Sequence, residues 1–423
     1  MPVSQPRGVR DFGPSQAIAR KRIVAVIEET FKRFGFSPLE TPAIENMEVL
    51  NAKAYGEDAS KQIYQIQDDD SALRFDLTIP MARYVASNGS IPLPFKRYQI
   101  GQTWRRDEPQ KMRYREFTQA DVDIVGAAGI ESDAEVMAAT ALALEELGFT
   151  DYKILLNNRI VLDKILSTFG VGAEKQPAAI RAIDKISKIG RQETIKQLTD
   201  VVKEDRSSEK IIEFLVEAGT NAEKLERIAA EVGAKDEAES MRALLELVRS
   251  YNIQGELVFD PSLARGLDYY TSYVWEFVVF GNGKQLPTIA GGGRYDNLIG
   301  LYGKKSLPAV GSSLGIDRIF DVIEQKVESG TYSDVFVAVI GDENYGYALS
   351  IANALRAKGV YTDINATKRN ISKQLEYANA LKFKYAAIIG AQEKNAKKLK
   401  LRDLVSGDEV LLAVDEAIEK IRG

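Results

Sequence analysis

The stretch from Arg97 to Gly126 constrains the fold of this chain more than any other. Two runs with strand-like alternation, Phe95 to Trp104 and Tyr114 to Val125, flank a charged segment centred on Pro109. Alternating runs on either side of a turn-like segment are typical of a hairpin. The stretch therefore predicts a long antiparallel hairpin with a basic loop.

Strand periodicity gathers polar side chains on one face of this hairpin. Successive side chains alternate across a strand, so Gln119, Asp121 and Asp123 share a face, and Gly101 lies on one face of the first strand with Thr103. A buried polar face is costly unless its groups find partners, and a glycine lets another group approach the backbone. The pattern fits the floor of a ligand site, but an edge hairpin with a solvated outer face would alternate in the same way.

The composition excludes several kinds of site. Among the 423 residues there is no cysteine and no histidine. Disulfides, Cys/His zinc sites, cysteine nucleophiles and Ser-His-Asp triads are therefore impossible, and proton transfer would depend on carboxylates, Lys, Tyr, substrate or water. The net charge of -5 means that any nucleic-acid binding must come from local basic clusters.

Length and hydropathy indicate a multidomain protein without a membrane segment. A chain of this length exceeds one compact core, so we expect two or three domains. No apolar run is long enough to cross a bilayer, and the N-terminal segment MPVSQPRGVRDFG lacks the apolar core of a secretory signal. We therefore expect a cytoplasmic protein.

Three other regions of the sequence have recognisable structural patterns. The segment FSPLETPAIENMEVL carries Pro38 and Pro42, which favour a strand edge that could serve in dimerisation. From Arg159 to about Tyr251, short charged helices broken by glycines predict an all-helical insert. The last ninety or so residues alternate strands and helices, which predicts a mostly parallel sheet with helices on its faces. Their basic residues could bind nucleic acid or could be the rim of an ordinary domain.

Several candidate residues have an ordinary structural interpretation as well as a functional one. Asp76 and Thr78 stand just before a predicted helix and could cap it. Arg318, in the first turn of a helix, could bind an anion or form a surface ion pair. The triple glycine 291–293 allows close backbone approach or a tight turn into a helix carrying Arg294. A further strand is expected after Arg265, with Asp268 and Tyr270 on one face.

Taken together, these stretches resemble the histidyl-tRNA synthetase family of class II aminoacyl-tRNA synthetases along essentially the whole chain. The resemblance is carried by the motifs LETPAIE, LRFDLTIPMARYVA, WRRDEPQKMRYREFTQADVD, ARGLDYYTSYVWE, AGGGRYDNL and VGSSLGIDRI, in the order of the family. RGLDYYT and GGGRYD are the most specific of these. Asp107 departs from the family's usual glutamate by one methylene.

The resemblance implies an α+β architecture. Residues 1–325 would form a catalytic domain built on a mainly antiparallel sheet with helices, and residues from about 165 to 252 a helical insertion within it. Residues 332–423 would form an α/β anticodon-binding domain. LETPAIE would form the dimer interface of a homodimer.

The resemblance also implies an enzyme, a histidine-tRNA ligase that activates L-histidine with ATP and Mg2+ and transfers it to the 3′ end of tRNA(His). Arg105 would contact the α-phosphate, Arg318 the γ-phosphate, and Arg265 the reacting region. Asp107 would face the adenine amino group, and Arg113 would lie near the adenine or the incoming tRNA end. The tRNA would meet the loop around Pro109, the helical insert and the C-terminal domain.

The same resemblance assigns the amino-acid pocket. Histidine recognition needs an anchor for the ammonium group and acceptors for the imidazole nitrogens. Asp76, Thr78 and Gln119 match the ammonium positions, Asp123, Tyr269 and Tyr270 match the side-chain pocket, and Arg265 borders both substrates. The nearest alternative is the inactive relative that regulates ATP phosphoribosyltransferase, which lacks the anticodon domain and much of RGLDYYT.

Overall fold

The computed structural model describes residues 3–51, 60–265, 269–281, 283–324, 331–367 and 369–422. The chain divides into two compact units, the first comprising Met1–Asp11 and Ile23–Ile323 and the second Phe12–Arg22 and Glu324–Gly423. The motif residues Gly266 and Asp268 lie outside the described residues, as does the expected domain boundary at 325.

The strands up to residue 323 build two sheets. In chain order they are β1 (Ser37–Pro38), β2 (Ile44–Asn46), β3 (Tyr64–Gln65), β4 (Ser71–Leu73), β5 (Phe95–Trp104), β6 (Glu116–Val125), β7 (Tyr152–Asn158), β8 (Glu256–Phe259), β9 (Tyr273–Gly281), β10 (Lys284–Gln285), β11 (Ala290–Arg294) and β12 (Ala309–Gly315). The large sheet has the order β1-β5-β6-β12-β11-β9-β7-β8, with β10 paired to β9, and the small sheet has the order β2-β4-β3. In the large sheet β1 pairs with β5 and β7 with β8 in parallel, and its other pairs are antiparallel.

Helices flank the large sheet, and a group of them separates β7 from β8. The helices up to residue 323 are α1 (Pro14–Arg33), α2 (Met47–Asn51), α3 (Thr78–Ser87), α4 (Ile130–Glu146), α5 (Arg159–Thr168), α6 (Gln176–Ile183), α7 (Ile186–Ile189), α8 (Arg191–Val202), α9 (Asp205–Val216), α10 (Asn221–Glu231), α11 (Lys235–Arg249) and α12 (Ile316–Ile323). Thr220 and Glu223 form a capping box that begins α10. The group α5 to α11 is the all-helical segment that the sequence predicts.

The central hairpin forms as expected and lies inside the large sheet. Strand β5 has the predicted bounds, and β6 begins two residues later than predicted because Tyr114 belongs to the loop. One face of β6 buries Ala120, Val122 and Ile124, while Gln119, Asp121 and Asp123 on the other face are at most 8% exposed. The interpretation as a solvated edge hairpin is therefore wrong, since β6 is covered by β5 and β12 on either side and both its faces are buried.

Two sequence-based expectations in the first unit are wrong. Residues 269–272 are not a strand, because β9 begins only at Tyr273. The triple glycine does not lead into a helix, because Gly291 to Gly293 lie within the buried strand β11, whose last residue is Arg294. Of the two interpretations of this triple glycine, the close approach of other groups to its backbone is the one found in the structure.

The second unit contains a five-stranded sheet with helices. Its strands are β13 (Val335–Val339), β14 (Thr362–Ile364), β15 (Tyr385–Ile389), β16 (Leu399–Asp403) and β17 (Glu409–Leu412), and its helices after residue 324 are α13 (Tyr345–Ala357), α14 (Ile371–Ala380), α15 (Ala391–Ala396) and α16 (Val414–Arg422). Alternate residues of β13 enter separate apolar clusters: Val335 and Val337 one, Phe336 and Ala338 the other. Both faces of the sheet are therefore covered.

The expectation of a mostly parallel sheet in this unit is also wrong. The strand order is β14-β13-β15-β16-β17, with parallel pairs at β13–β14 and β13–β15 and antiparallel pairs at β15–β16 and β16–β17. Parallel neighbours need a crossover of about a dozen residues or more. The links 390–398 and 404–408 are too short for that, so the last two strands reverse direction.

Candidate active site

The floor of the candidate site consists of facing rows of side chains across the large sheet. Residues opposite each other on paired strands share a face, so the register aligns them in rows. One row reads Arg97, Asp123, Gly311, Gly293, Val274. The next reads Gln99, Asp121, Ser313, Gly291, Glu276, Leu155. Polar and charged groups from distant parts of the chain therefore meet on one surface.

Glycines in these rows leave room for side chains that cross the floor. A Cβ atom on Gly291 would collide with the Arg265 guanidinium, and one on Gly293 would come within 2.7 Å of the Tyr270 ring. At Gly311 a Cβ atom would collide with the Asp123 carboxylate. The glycines of the GGGRYD and VGSSLG motifs thus let the functional side chains lie flat on the backbone.

If the protein has the ATP-dependent activity that the family resemblance implies, Gly291→Ala should lower that activity by about a hundred-fold, because the new methyl group would displace Arg265 from its place over β11. The matched control is Gly89→Ala, since a Cβ atom there meets nothing within 4 Å. The measurement is histidine-dependent ATP–pyrophosphate exchange together with thermal unfolding. Full activity in a folded Gly291→Ala protein would contradict this account of the motif.

Four guanidinium groups converge at one end of the cavity. Arg265 donates from Nη1 to the carbonyl of Trp275 at 2.9 Å, and Arg318 donates from Nη1 to the carbonyl of Thr288 at 2.7 Å. The Arg105 guanidinium lies 4.3 Å from the centre of the Phe75 ring. Burial and the positive charges of Arg105, Arg113 and Arg265 lower the pKa of Arg318, although Glu276 opposes this. Such an excess of positive charge is suited to a polyanion.

Arg113 and Asp107 form a pair at the edge of this cationic end. The guanidinium donates from Nε and Nη2 to the two carboxylate oxygens of Asp107, each at 2.8 Å. This bidentate geometry fixes the orientation of both side chains. The hairpin loop that carries them is held by Arg10, which pairs with Asp317 at 2.8 Å and Asp321 at 2.7 Å and stacks on Tyr114.

The opposite end of the cavity is acidic. Asp123 is 1% exposed and pairs through Oδ2 with Arg97 Nη2 at 2.7 Å, while the Tyr295 hydroxyl donates to its Oδ1. Burial raises the pKa of Asp123, and Arg97 and Tyr295 oppose the rise. Tyr269 and Tyr270 pack against the Tyr295 ring, and their own ring centres lie 4.8 Å apart. An acid held by one cation and one hydroxyl at a cavity wall can accept a hydrogen bond from a ring N–H.

Gln119 and Asp121 continue this acidic end along β6. Gln119 donates from Nε2 to the Ser313 hydroxyl oxygen at 2.6 Å, and Ser313 in turn donates to Asp121. Among the described residues, Gln119 Oε1 and Asp121 Oδ1 have no hydrogen-bond partner although both are buried. Burial raises the pKa of Asp121 to about 7, with Asp123 and Asp76 adding to the rise and Arg97 opposing it.

Asp76 performs the structural role that the sequence allowed, and it also faces the cavity. Its Oδ1 accepts a hydrogen bond from the Ile79 amide at 3.0 Å in the first turn of α3. Both Asp76 and Thr78 are buried and line the cavity. The helix cap and the candidate ligand contact are therefore compatible.

A single cavity of about 760 Å³ contacts every site residue that the sequence predicts, a size typical of small-molecule sites. Those residues are Asp76, Thr78, Arg105, Asp107, Arg113, Gln119, Asp123, Arg265, Tyr269, Tyr270 and Arg318. In particular, Arg105, Arg265 and Arg318 surround the same space.

Sequence reasoning missed several residues of this cavity. The sequence places Asp121 on the polar face predicted as a ligand floor, and the structure confirms that position, but the sequence assigns no role to this residue. Glu276 has no comparable signal, because only the pairing of β9 with β11 brings it to the floor. Tyr295 follows the last residue of β11 and reaches Asp123 through its hydroxyl. The helical segment between β7 and β8 also reaches the cavity through residues 181 and 184–188. Asp184 there has a raised pKa, chiefly because it is buried.

Neither a protein-only metal cluster nor a membrane span is found in the described part of the chain. No group of three or more acidic side chains there could hold a metal ion by itself. The described helices include none that is long and apolar enough to cross a membrane.

Comparison with known proteins gives matches along the whole chain. A profile of the family described as Histidyl-tRNA synthetase matches residues 8–319, and one described as Anticodon binding domain matches residues 334–423. The histidine--tRNA ligase of Korarchaeum cryptofilum is 39% identical over 434 residues, covering 99% of this chain and 98% of that protein. The enzyme of the same name from Aeropyrum pernix is 37% identical over 428 residues, covering 98% and 97%.

Solved structures show the same fold. The histidyl-tRNA synthetase from Nostoc sp. PCC 7120 superposes with a TM-score of 0.85 at 28% identity, covering 100% of this chain and 99% of that one. A Bacillus halodurans protein described as an ATP phosphoribosyltransferase regulatory subunit/histidyl-tRNA synthetase superposes with a TM-score of 0.74 at 23% identity, which is evidence for the fold alone. On the sequence matches along its length, the chain belongs to the histidyl-tRNA synthetase family.

Proposed function

We propose that this protein is a histidine-tRNA ligase that activates L-histidine with ATP to histidyl-adenylate and transfers it to the 3′ end of tRNA(His). The observation that carries the proposal is the polarity of one cavity, with arginines from three distant motifs at one end and buried carboxylates at the other. A triphosphate fits the first end, and an amino acid with an ammonium group and an imidazole ring fits the second.

The cationic end accounts for the activation step. Attack of the histidine carboxylate on the α-phosphate needs no protein nucleophile, so fixed positive charges supply the main stabilisation. Arg105 would bind the α-phosphate, Arg318 the γ-phosphate, and Arg265 the region where the new bond forms. Their hydrogen bonds to the carbonyls of Phe75, Thr288 and Trp275 hold them in place before the substrates arrive. Asp107 and Arg113 would border the adenine.

Magnesium would enter with ATP, since Mg2+ in such sites is held by phosphate oxygens and one or two carboxylates. Glu276 fits this role, because it lies on the cavity floor 3.8 Å from Arg265 and accepts a hydrogen bond from Thr288 at 2.9 Å. The ion would neutralise charge on the phosphates, while the arginines orient them.

The acidic end accounts for the choice of amino acid. Asp123, oriented by Arg97 and Tyr295, would accept a hydrogen bond from the imidazole ring, with Tyr269 and Tyr270 enclosing it. Asp76, Thr78 and Gln119 would bind the ammonium group. With this division, the histidine carboxylate would lie between the two ends, next to the phosphates.

The tRNA and assembly assignments extend the same proposal. Residues 1–325 would be the catalytic domain, with an insertion at about 165–252, and residues 332–423 would bind the anticodon. The hairpin loop with Gln110 and Lys111, the helical insertion and the C-terminal domain would contact tRNA(His). The LETPAIE segment would join two subunits in a homodimer. The enzyme would supply charged tRNA(His) for translation, so it would be located in the cytoplasm.

The test uses the purified full chain. We expect exchange of pyrophosphate into ATP that depends on histidine, and charging of tRNA(His) with histidine. A regulatory subunit of the alternative kind would show neither activity and would instead stimulate an ATP phosphoribosyltransferase. Absence of histidine-dependent exchange from folded protein would rule out the proposal.

A further inference from the structure

Asp121 is a buried acid that none of the roles above uses. It lies between Gln119 and Asp123 on the cavity face of β6 and is 2% exposed. In the described residues its Oδ1 has no hydrogen-bond partner, and neither has the neighbouring Gln119 Oε1. An unpaired acceptor is costly in a buried position, and two on one wall of a ligand cavity indicate a missing donor group.

Two arginines and two other carboxylates surround Asp121. Arg97 lowers the pKa of Asp121 through its charge, and among the described residues its Nε and Nη1 have no hydrogen-bond partner. Arg97 on β5 pairs with Asp123 at 2.7 Å. Arg74, which follows β4, donates to the carbonyls of Gln102 at 2.8 Å and Thr41 at 2.7 Å. Asp76, before α3, and Asp123 repel Asp121, and Tyr269 and Tyr270 are neutral. The electrostatic environment therefore favours an added positive charge.

We infer that Asp121 is a second anionic anchor for the α-ammonium group of the amino-acid substrate, acting with Gln119 and beside Asp76. An ammonium group has three N–H donors, and Asp121 Oδ1 and Gln119 Oε1 offer two acceptors of the right kind. The chain Gln119 to Ser313 to Asp121 holds both acceptors in position. This assignment rests on the proposed function, and it adds a specificity-determining residue to the pocket.

The test compares two analogues that separate the ammonium group from the carboxylate. Histidinol keeps the ring and the ammonium group, whereas imidazolepropionate keeps the ring and the carboxylate. For Asp121→Asn we expect histidinol to bind roughly ten- to a hundred-fold more weakly in calorimetry, because a charge-assisted hydrogen bond is lost. Imidazolepropionate, which has no ammonium group, should bind within about three-fold of the wild type.

Glu213→Gln is the control, since it also removes a carboxylate, but Glu213 forms an exposed pair with Arg191 and does not line the cavity. It should leave the ratio of the two affinities unchanged. Asp121→Ser is a second variant in case the amide does not fold. Equal weakening of both analogues, or no change in either, would overturn the assignment.

A proton-linkage measurement gives an independent readout. Burial raises the pKa of Asp121 to about 7, so the carboxyl group is partly protonated at pH 7 when no ligand is bound. The ammonium group of histidinol should lower this pKa, so that Asp121 releases a proton on binding. Calorimetry in two buffers of different ionisation enthalpy should show proton release by the wild type and less by Asp121→Asn. Equal release by both proteins would contradict the anchor role.

The failure of this inference is distinguishable from that of the proposed function. If the wild type exchanges pyrophosphate with histidine but Asp121→Asn keeps the wild-type affinity ratio, only the anchor role fails. If the wild type neither binds histidinol nor exchanges pyrophosphate, both fail together.

Discussion

Arg265→Ala should lower histidine-dependent ATP–pyrophosphate exchange by about a hundred- to a thousand-fold, the range seen when one preorganised donor to a developing charge is removed. Arg265 is held by the carbonyl of Trp275 at 2.9 Å and lies against Gly291, so its guanidinium is fixed before substrates bind. The loss should therefore fall on kcat more than on the KM values. Steady-state exchange at varied histidine and ATP separates the two.

Two further variants sharpen this measurement. Arg265→Lys keeps the positive charge but not the planar fork of donors, so we expect an intermediate activity. Arg191→Ala is the control, because Arg191 forms an exposed pair with Glu213 and does not line the cavity. Wild-type exchange by a folded Arg265→Ala protein would remove Arg265 from the active site.

Arg294→Met should lower the free energy of unfolding of the first unit by about 3–5 kcal/mol, the usual effect of breaking a buried ion pair. Arg294 pairs with the fully buried Asp133 and donates to Ser132 Oγ at 2.9 Å and to the carbonyl of Gly129 at 3.1 Å. It joins the start of α4 to β11 and does not face the cavity. The arginine of GGGRYD is thus structural, while its glycines accommodate the site.

The pH dependence of this loss has a defined sign. Burial raises the pKa of Asp133 to about 6, even though Arg294 opposes the rise. Without Arg294 the pKa in the folded protein rises further above the unfolded value, so the variant loses stability as pH increases through that window. The difference from the wild type should therefore be larger at pH 8 than at pH 5.

The chain offers a convenient probe and control for this experiment. Its two tryptophans, Trp104 and Trp275, lie in β5 and β9, so intrinsic fluorescence during urea unfolding reports on the first unit. Arg191→Met removes an exposed ion pair and should change stability by less than about 1 kcal/mol. Equal stability of Arg294→Met and Arg191→Met would refute the structural role.

Local patterns were sufficient to predict the hairpin, because its information lies within one continuous stretch. Alternation predicted the bounds of β5, and the shared polar face of Gln119, Asp121 and Asp123 follows from period two. The pairing of β6 with β12 has no such local signal, since Asp121 and Ser313 are almost two hundred residues apart. That the candidate residues converge on one cavity could be expected only from the family resemblance.

The errors in prediction also have physical causes. Tyr269 and Tyr270 favour a strand by propensity, but the Tyr270 ring lies against Gly293 on the floor and the strand begins only at Tyr273. In the second unit, the alternation of strands and helices predicted parallel pairing, whereas short links between the last strands forced reversal. In both places tertiary geometry overrode a local preference.

Strand β12 contributes Gly311, Ser313 and Gly315 to the floor, and its intervening residues point the other way. Inserting or deleting one residue in this strand could preserve the backbone ladder, yet it would turn Val310, Ser312 and Leu314 toward the substrates. The protein would then lose substrate binding although the large sheet stayed intact. The pocket can therefore change during evolution only by substitutions in the strand, and insertions or deletions have to occur in the connecting loops.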